Sequence, residues 1–245
     1  MHVKSWVQMT LADYPQKIAA SLFTGGCNFR CPNCHNRDLV LSPARLPDVP
    51  LDEIEAFLEA RAGLLDGVVI SGGEPTLQPD LLPFCARLRA MGYAVKLDTN
   101  GYRPDVLRAA LDTLPGGKGG RAAVDYVAMD FKAPLSKYGQ ATGVQIDAAR
   151  IEQSIQLLFE RRVPFEFRTT VVPGLLDEPE IAEMAAYLAH KSPAPGQVRY
   201  YLQQFVPRNT LDPALLDLVP YTPSRMRAMA GLARRWLSLV ELRGI

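Results

Sequence analysis

Residues 17–36 read KIAASLFTGGCNFRCPNCHN, a stretch in which an apolar run leads into a loop with three cysteines. The run Lys17–Phe23 has the length and apolar character of a buried strand. Two glycines follow, and then Cys27, Cys31 and Cys34 at the spacing C-x3-C-x2-C. In open α/β sheets and in α/β barrels, functional groups lie at the carboxyl ends of the strands. The loop therefore marks the end of one strand as a candidate site.

The same order, an apolar run and then polar residues, recurs along the chain. We predict six strands, at Lys17–Phe23, Gly67–Ser71, Ala94–Thr99, Asp125–Lys132, Phe165–Val172 and Val198–Phe205. We predict the helices at Leu51–Ala62, Pro79–Met91, Pro104–Leu111, Asp147–Arg161, Glu178–His190 and Pro223–Leu237. Asp147 and Asp177 stand at N-cap positions. This alternation predicts a parallel sheet, wound either as an open sheet or as part of a barrel, and periodicity alone does not choose between them.

Polar clusters follow four of the predicted strands. They are Cys27–Asn36, Ser71–Pro75, Asp98–Gly101 and Asp130–Lys132. The stretch Gly116–Gly120 lacks the spacing and the Ser or Thr of a phosphate loop, so we interpret it as a flexible connection. The polar residues at the strand ends are the better candidates for function.

Length and composition predict one domain over residues 1–245, with a core at about 17–205 and a helical extension at about 206–245. Of the 245 residues, 48% are hydrophobic and 22% charged, which is enough to bury a full core. The net charge of +1 and the lack of a basic run argue against nucleic-acid binding. Met1–Thr10 has no signal-peptide core, and no run of 18 apolar residues occurs. We expect a soluble cytoplasmic protein without membrane contact.

Three of the four cysteines fall within eight positions, which is typical of metal ligation in a reducing compartment. Three thiolates on one loop suit a [4Fe–4S] cluster with one iron left open for chemistry. A zinc site completed by His35 or Cys85 is the alternative. His35 adjoins Cys34, which hinders joint tetrahedral ligation, and Cys85 shares a helical face with Leu81 and Leu88. The spacing favours the cluster.

At this loop the chain resembles the radical S-adenosylmethionine (SAM) superfamily, whose signature is this cysteine spacing. Ser71–Pro75 (SGGEP) is similar to the Gly-Gly-Glu element of the superfamily. The resemblance implies that Gly72, Gly73 and Glu74 receive the methionine amino group of the cofactor. It also implies a partial (β/α)6 TIM-like barrel within the α/β class.

Two further segments, Leu97–Gly101 (LDTNG) and Met129–Lys132 (MDFK), resemble the glycyl-radical-enzyme activating enzymes. In that family the matching positions bind a monovalent cation, Na⁺ or K⁺, beside the cofactor carboxylate, which also places Asp98 and Asp130 among the cofactor-binding residues. Lys132 matches a residue near the cofactor. The implied cation ligands are Asp98, Thr99, the carbonyl of Met129, and Asp130. Taken alone, either segment fits a structural role, an ordinary surface ion pair or an ordinary turn, better than a functional one. Their shared location at strand ends reverses that preference.

Three more positions bear on the cofactor. Arg168 matches an arginine that contacts the cofactor in relatives, although an inward arginine that braces a barrel is an equal alternative. The residue before the third cysteine is usually aromatic in the superfamily, and here it is Asn33. An amide cannot stack as a ring does. Backbone groups around Asn33 and His35 remain as candidate adenine contacts, and a hydrogen bond of His35 within the loop is the alternative.

The stretch Leu11–Ala19 (LADYPQKIA) that leads into the cysteine loop resembles the activators of anaerobic ribonucleotide reductase. The resemblance implies that a one-electron donor, such as flavodoxin or ferredoxin, reduces the cluster and that SAM yields a 5′-deoxyadenosyl radical. In this family the radical takes a hydrogen atom from the Cα of a glycine in the partner enzyme. Glycine suits this step because it has no Cβ to block approach.

Alternative functions remain at this point. A carboxydeazaguanine synthase-like enzyme that acts on a small molecule would show a similar loop. An electron-transfer iron–sulfur protein would need a fourth protein ligand, and a zinc-structured interaction module would bind no cofactor. The sequence has no second cysteine cluster, which excludes a member with an auxiliary cluster.

Overall fold

The computed structural model describes residues 1–112 and 122–245. The predicted connection at Gly116–Gly120 lies outside the described residues. No helix in the described ranges has the length and apolar character needed to cross a membrane.

Strands and helices alternate through most of the described chain. The strands are β1 (Val3–Thr10), β2 (Ala19–Thr24), β3 (Gly67–Gly72), β4 (Ala94–Thr99), β5 (Tyr126–Asp130), β6 (Phe165–Val171), β7 (Arg199–Gln204) and β8 (Leu239–Arg243). The helices are α1 (Arg37–Leu41), α2 (Leu51–Glu59), α3 (Leu81–Ala90), α4 (Pro104–Leu111), α5 (Tyr138–Thr142), α6 (Ala148–Glu160), α7 (Glu178–Lys191) and α8 (Pro223–Ala233). The strand order follows the chain, β1-β2-β3-β4 and, farther along, β6-β7-β8.

The chain divides into two compact units. Unit 1 comprises Met1–Asn28 and Asp38–Ala128, and unit 2 comprises Phe29–Arg37 and Met129–Ile245. The division passes through the cysteine loop and through β5. A single domain over residues 1–245 stays a prediction.

In unit 1, β2, β3 and β4 pair in parallel, and β1 pairs with β2 in the antiparallel sense. The central strands are buried on both faces: on β3, Val68 and Ile70 are inaccessible to solvent on one face, and Val69 on the opposite face is only 1% exposed. This is why they read as continuous apolar runs rather than as alternating patterns. The antiparallel β1 lies at the edge of the sheet.

In unit 2, β6, β7 and β8 pair in parallel. Two helices begin at the predicted N-caps. The Asp147 side chain accepts a hydrogen bond from the Ala149 amide at 3.0 Å at the start of α6. Asp177 and Glu180 form a capping box at the start of α7. Each cap satisfies amide groups that the first turn of a helix leaves without partners.

All six predicted strands are present, with ends that shift by at most two residues. The sequence analysis missed β1 and β8. In β1 (VKSWVQMT) only Val3 is buried, and in β8 (LVELR) only Val240 is buried. Neither forms the apolar run on which the prediction relied. Both belong to an edge of the sheet, where burial on one face only weakens the signal.

Candidate functional site

The predicted site residues fall into both units. Unit 1 contains Cys27, Gly72, Gly73, Glu74, Asp98 and Thr99. Unit 2 contains Cys31, Asn33, Cys34, His35, Met129, Asp130, Lys132 and Arg168.

In unit 1, the turn before Cys27 packs against the turn after β3. The Glu74 amide donates to the carbonyl of Gly26 at 2.8 Å. A Cβ on Gly73 would lie 2.0 Å from that carbonyl oxygen, so this position accepts only glycine without a backbone shift. Gly72 has a φ of 115°, in the region that L side chains rarely adopt. The Gly-Gly pair therefore lets two strand ends approach closely.

Glu74 is fully buried, and its carboxylate accepts four hydrogen bonds inside unit 1. Oε1 accepts from the Thr76 amide at 3.1 Å, the Thr76 hydroxyl at 2.5 Å and the Thr99 hydroxyl at 2.7 Å. Oε2 accepts from the Asn100 amide at 2.7 Å. Burial raises the pKa of Glu74, and the hydrogen bonds oppose that rise. Glu74 thus ties the end of β3 to the end of β4.

Asn100 brings an amide to Cys27. Its Nδ2 donates to Asn28 Oδ1 at 2.8 Å and lies 3.9 Å from Cys27 Sγ. Hydrogen-bond donors beside cysteine sulfur tune iron–sulfur centres. The sequence analysis treated Asn100 only as part of a motif or an ordinary turn. Its place one residue after the Asp98-Thr99 pair at a strand end was the available signal.

In unit 2, the cysteine loop is closed by a hydrogen bond from the Cys34 amide to the Cys31 carbonyl at 3.0 Å. Burial raises the pKa of both thiols, and the charge of Lys132 opposes that rise. Cys27, Cys31 and Cys34 are all partly exposed. Cys85 is fully buried, and burial raises its pKa to about 12. Leu81 and Leu88, which share its predicted helical face, are buried with it.

A charge cluster follows β5 in unit 2. Lys132 Nζ lies 3.1 Å from Asp130 Oδ2, and Arg168 Nε and Nη2 each lie 3.0 Å from Oδ1. Burial would raise the pKa of Asp130, but the two basic groups outweigh it and lower the pKa to about 2. The three side chains line one pocket together with Asn33. The structure thus brings four predicted site residues of unit 2 together.

Residues 206–212, which we call the C-terminal strap, hold the cysteine loop of unit 2. His35 Nε2 donates to the Val206 carbonyl at 2.8 Å, and Asn209 Nδ2 donates to the His35 carbonyl at 2.9 Å. The Asp212 amide donates to the Pro32 carbonyl at 2.9 Å. The sequence analysis assigned no role to this segment, because its contacts lie more than 170 residues away along the chain.

These residues fit the group that the cysteine spacing implies. Three partly exposed thiols, an amide donor beside Cys27 and a glycine turn without Cβ atoms suit a cluster with a bound cofactor. Within residues 1–112 and 122–245, no three His, Cys, Asp or Glu side chains converge on the position of a single metal ion. In a [4Fe–4S] cluster each thiolate binds a different iron, so this group does not require such convergence.

Residues 21–185 match the sequence profile of the Radical SAM superfamily. The chain belongs to the radical SAM superfamily. Radical SAM proteins use a [4Fe–4S] cluster and SAM, so this protein is a radical SAM enzyme with those two cofactors. The resemblance inferred from the cysteine loop and the Gly-Gly-Glu element is confirmed.

This radical SAM chain is similar to two proteins in sequence and to a third in fold. A protein of Methanocaldococcus jannaschii, named for glycyl-radical enzyme activation, is 32% identical over 99% of this chain and 96% of its own length. The 7-carboxy-7-deazaguanine synthase of Koribacter versatilis is 32% identical over 58% of this chain and 56% of its own. The structure of Streptococcus suis SuiB with precursor peptide SuiA covers 90% of this chain and 47% of SuiB, with a TM-score of 0.63 and 13% identity. The SuiB likeness concerns the fold alone, and the predicted α/β fold class is confirmed.

Proposed function

We propose that this radical SAM enzyme activates a glycyl radical enzyme and that its partner is an anaerobic ribonucleotide reductase. The observation that carries the activating role is the match over 99% of the chain to a relative named for that activation. The LDTNG and MDFK segments support it. The choice of partner rests on Leu11–Ala19, the stretch that resembles the ribonucleotide reductase activators.

We propose that Cys27, Cys31 and Cys34 hold the cluster. When bound, the cluster and SAM supply the one-electron radical chemistry, and the protein positions the reactants and excludes water. Asn100 donates a hydrogen bond toward the sulfur of Cys27. Cys85 takes no part, because it is fully buried within unit 1.

The unit 2 pocket supports a role in binding the carboxylate of the cofactor. Lys132 and Arg168 carry two positive charges, and Asp130 carries one negative charge. These three side chains therefore have a net charge of about +1. A carboxylate complements this excess. Asn33 lines the same pocket and, with His35, stays our candidate for the adenine contact.

In unit 1 we propose that Gly72 and Gly73 offer their backbone to the methionine end of the cofactor. Glu74 stays in the proposed cofactor-binding set, and its hydrogen bonds to Thr76, Thr99 and Asn100 fix the turn that the glycines form. The physiological partners under this proposal are the glycyl radical enzyme and a one-electron donor of the flavodoxin or ferredoxin class.

The second candidate function is chemistry on a small molecule. The similarity to a 7-carboxy-7-deazaguanine synthase over 58% of the chain favours it. This match is shorter than the match to the activating relative, which spans 99%. The two functions differ in the molecule that carries the product radical: a glycine of a protein in the first and a small heterocycle in the second.

Electron paramagnetic resonance tests the proposal. The reconstituted, reduced enzyme is mixed anaerobically with SAM and the anaerobic ribonucleotide reductase of the same host. We expect a glycyl-type doublet on the reductase, lost with Cys31→Ala and kept with the matched control Cys85→Ala. A visible reduced cluster without any doublet would contradict the partner assignment and direct attention to small-molecule substrates.

A further inference from the structure

Lys96 is a buried lysine on β4 of unit 1. It lies on β4 between Val95 and Leu97, which are fully buried, and only 2% of Lys96 itself is exposed. An ammonium group is costly to bury unless a negative charge compensates it. Because alternate residues of a strand point to the same face, the side chain of Asp98 is the natural partner.

The two side chains form an ion pair. Lys96 Nζ lies 2.5 Å from Asp98 Oδ1, and Ser71 Oγ donates to Asp98 Oδ2 at 3.2 Å. Asp98 is largely buried, with 13% of its side chain exposed. An ion pair in such surroundings is screened much less than a surface pair. The negative charge of Asp98 is therefore balanced by a group of the chain itself.

The negative charge of Asp130 in unit 2 is also balanced by basic side chains of the chain itself. Lys132 and Arg168 lie at 3.1 Å and 3.0 Å from its two carboxylate oxygens. Asp98 and Asp130 are the two charged ligands of the monovalent cation that the resemblance implies. Each of them already faces a basic side chain within its own unit.

We propose that Lys96 is the built-in countercation of Asp98 and that it takes the place of a bound Na⁺ or K⁺ in this chain. Lys96 is then a positioning residue, which holds the Asp98 carboxylate at the end of β4 without an ion from solution. Removal of its ammonium group should leave a buried carboxylate that recruits such an ion.

Thermal unfolding of the cluster-free protein tests this inference. Unfolding temperatures are compared in NaCl, KCl and choline chloride at equal ionic strength, since choline is too large for an internal site. For the wild type we expect the same temperature in all three salts. For Lys96→Met we expect a saturable rise of several degrees in NaCl or KCl over choline chloride, because an ion that binds only the folded state stabilises it.

Arg89→Met is the matched control. Arg89 is also a largely buried basic residue of unit 1, and it pairs with Asp125 just before β5. Loss of this pair should lower the unfolding temperature equally in all three salts. A Na⁺- or K⁺-specific rise in the wild type, or no such rise in Lys96→Met, would overturn the proposal.

A double variant covers the case in which Lys96→Met does not fold in choline chloride. Lys96→Met/Asp98→Asn removes both charges and should fold without any preference among the salts. If Lys96→Met then folds in NaCl, the inference is supported. If it stays unfolded there while the double variant folds, Asp98 accepts no cation and the inference fails. No cofactor or partner enters this test, so its failure leaves the proposed function untouched.

Discussion

At the scale of single residues, Glu74 shows how a residue of the proposed cofactor site also stabilises the fold. Its two carboxylate oxygens accept four hydrogen bonds in a fully buried position. In Glu74→Gln, one oxygen becomes an NH₂ group that must face at least one of these donors. We expect a loss of about 1–3 kcal/mol in the free energy of unfolding, since a buried donor is left without an acceptor.

Chemical denaturation of the cluster-free protein measures this loss. Glu55→Gln is the matched control, because Glu55 pairs with Arg87 at 2.8 Å on the surface. Exposed ion pairs contribute about 0–1 kcal/mol. Equal small losses in both variants would show that the hydrogen bonds of Glu74 contribute little to stability.

At the scale of elements, the β3 end meets the cysteine turn at Gly73. A Cβ at this position would lie 2.0 Å from the Gly26 carbonyl oxygen and 2.7 Å from its carbon. We expect Gly73→Ala to lower the unfolding temperature clearly and to reduce SAM binding, because the turn must move. Gly231→Ala in α8 meets nothing within 4 Å and should be neutral or stabilise the protein by about 0.5–1 kcal/mol. A normal unfolding temperature for Gly73→Ala would contradict the close approach.

The C-terminal strap gives a second prediction at this scale. Asn209 has a φ of 51°, and its side chain donates to the His35 carbonyl. Asn209→Gly permits this backbone conformation and removes the side-chain hydrogen bond. We expect amide exchange at residues 31–36 of the cluster-free protein to rise about fivefold, the equivalent of about 1 kcal/mol. Exchange in α7 serves as the internal control, and an unchanged rate at residues 31–36 would show that the strap does not hold the loop.

The elements that the sequence predicts best are those with buried runs. β2 to β7 were found because their central residues are apolar, and the N-caps Asp147 and Asp177 were found from local chemistry. β1 and β8 carry no such run. The strap escaped prediction for another reason, since its hydrogen bonds join residues that only the fold brings together.

At the scale of the whole molecule, the sequence predicts function through the polar residues that follow the predicted strands. Sequence reasoning placed Asp130, Lys132 and Arg168 near a cofactor, and the structure joins them in one pocket. It did not pair Lys96 with Asp98, because a lysine within a short strand reads as a solvent-facing residue until the burial of both faces is known. The i,i+2 spacing on β4 places the two charges on one face, and the packed fold determines that the pair is buried.

The central claim is that the three-cysteine loop carries radical SAM chemistry. The most direct test is the anaerobic reductive cleavage of SAM by the reconstituted enzyme, measured as 5′-deoxyadenosine formed, with Cys85→Ala as the control. We expect formation by the wild type and by Cys85→Ala, and none with Cys27→Ala, Cys31→Ala or Cys34→Ala. Cleavage that survives the loss of a loop cysteine, or that vanishes with Cys85→Ala, would contradict the account.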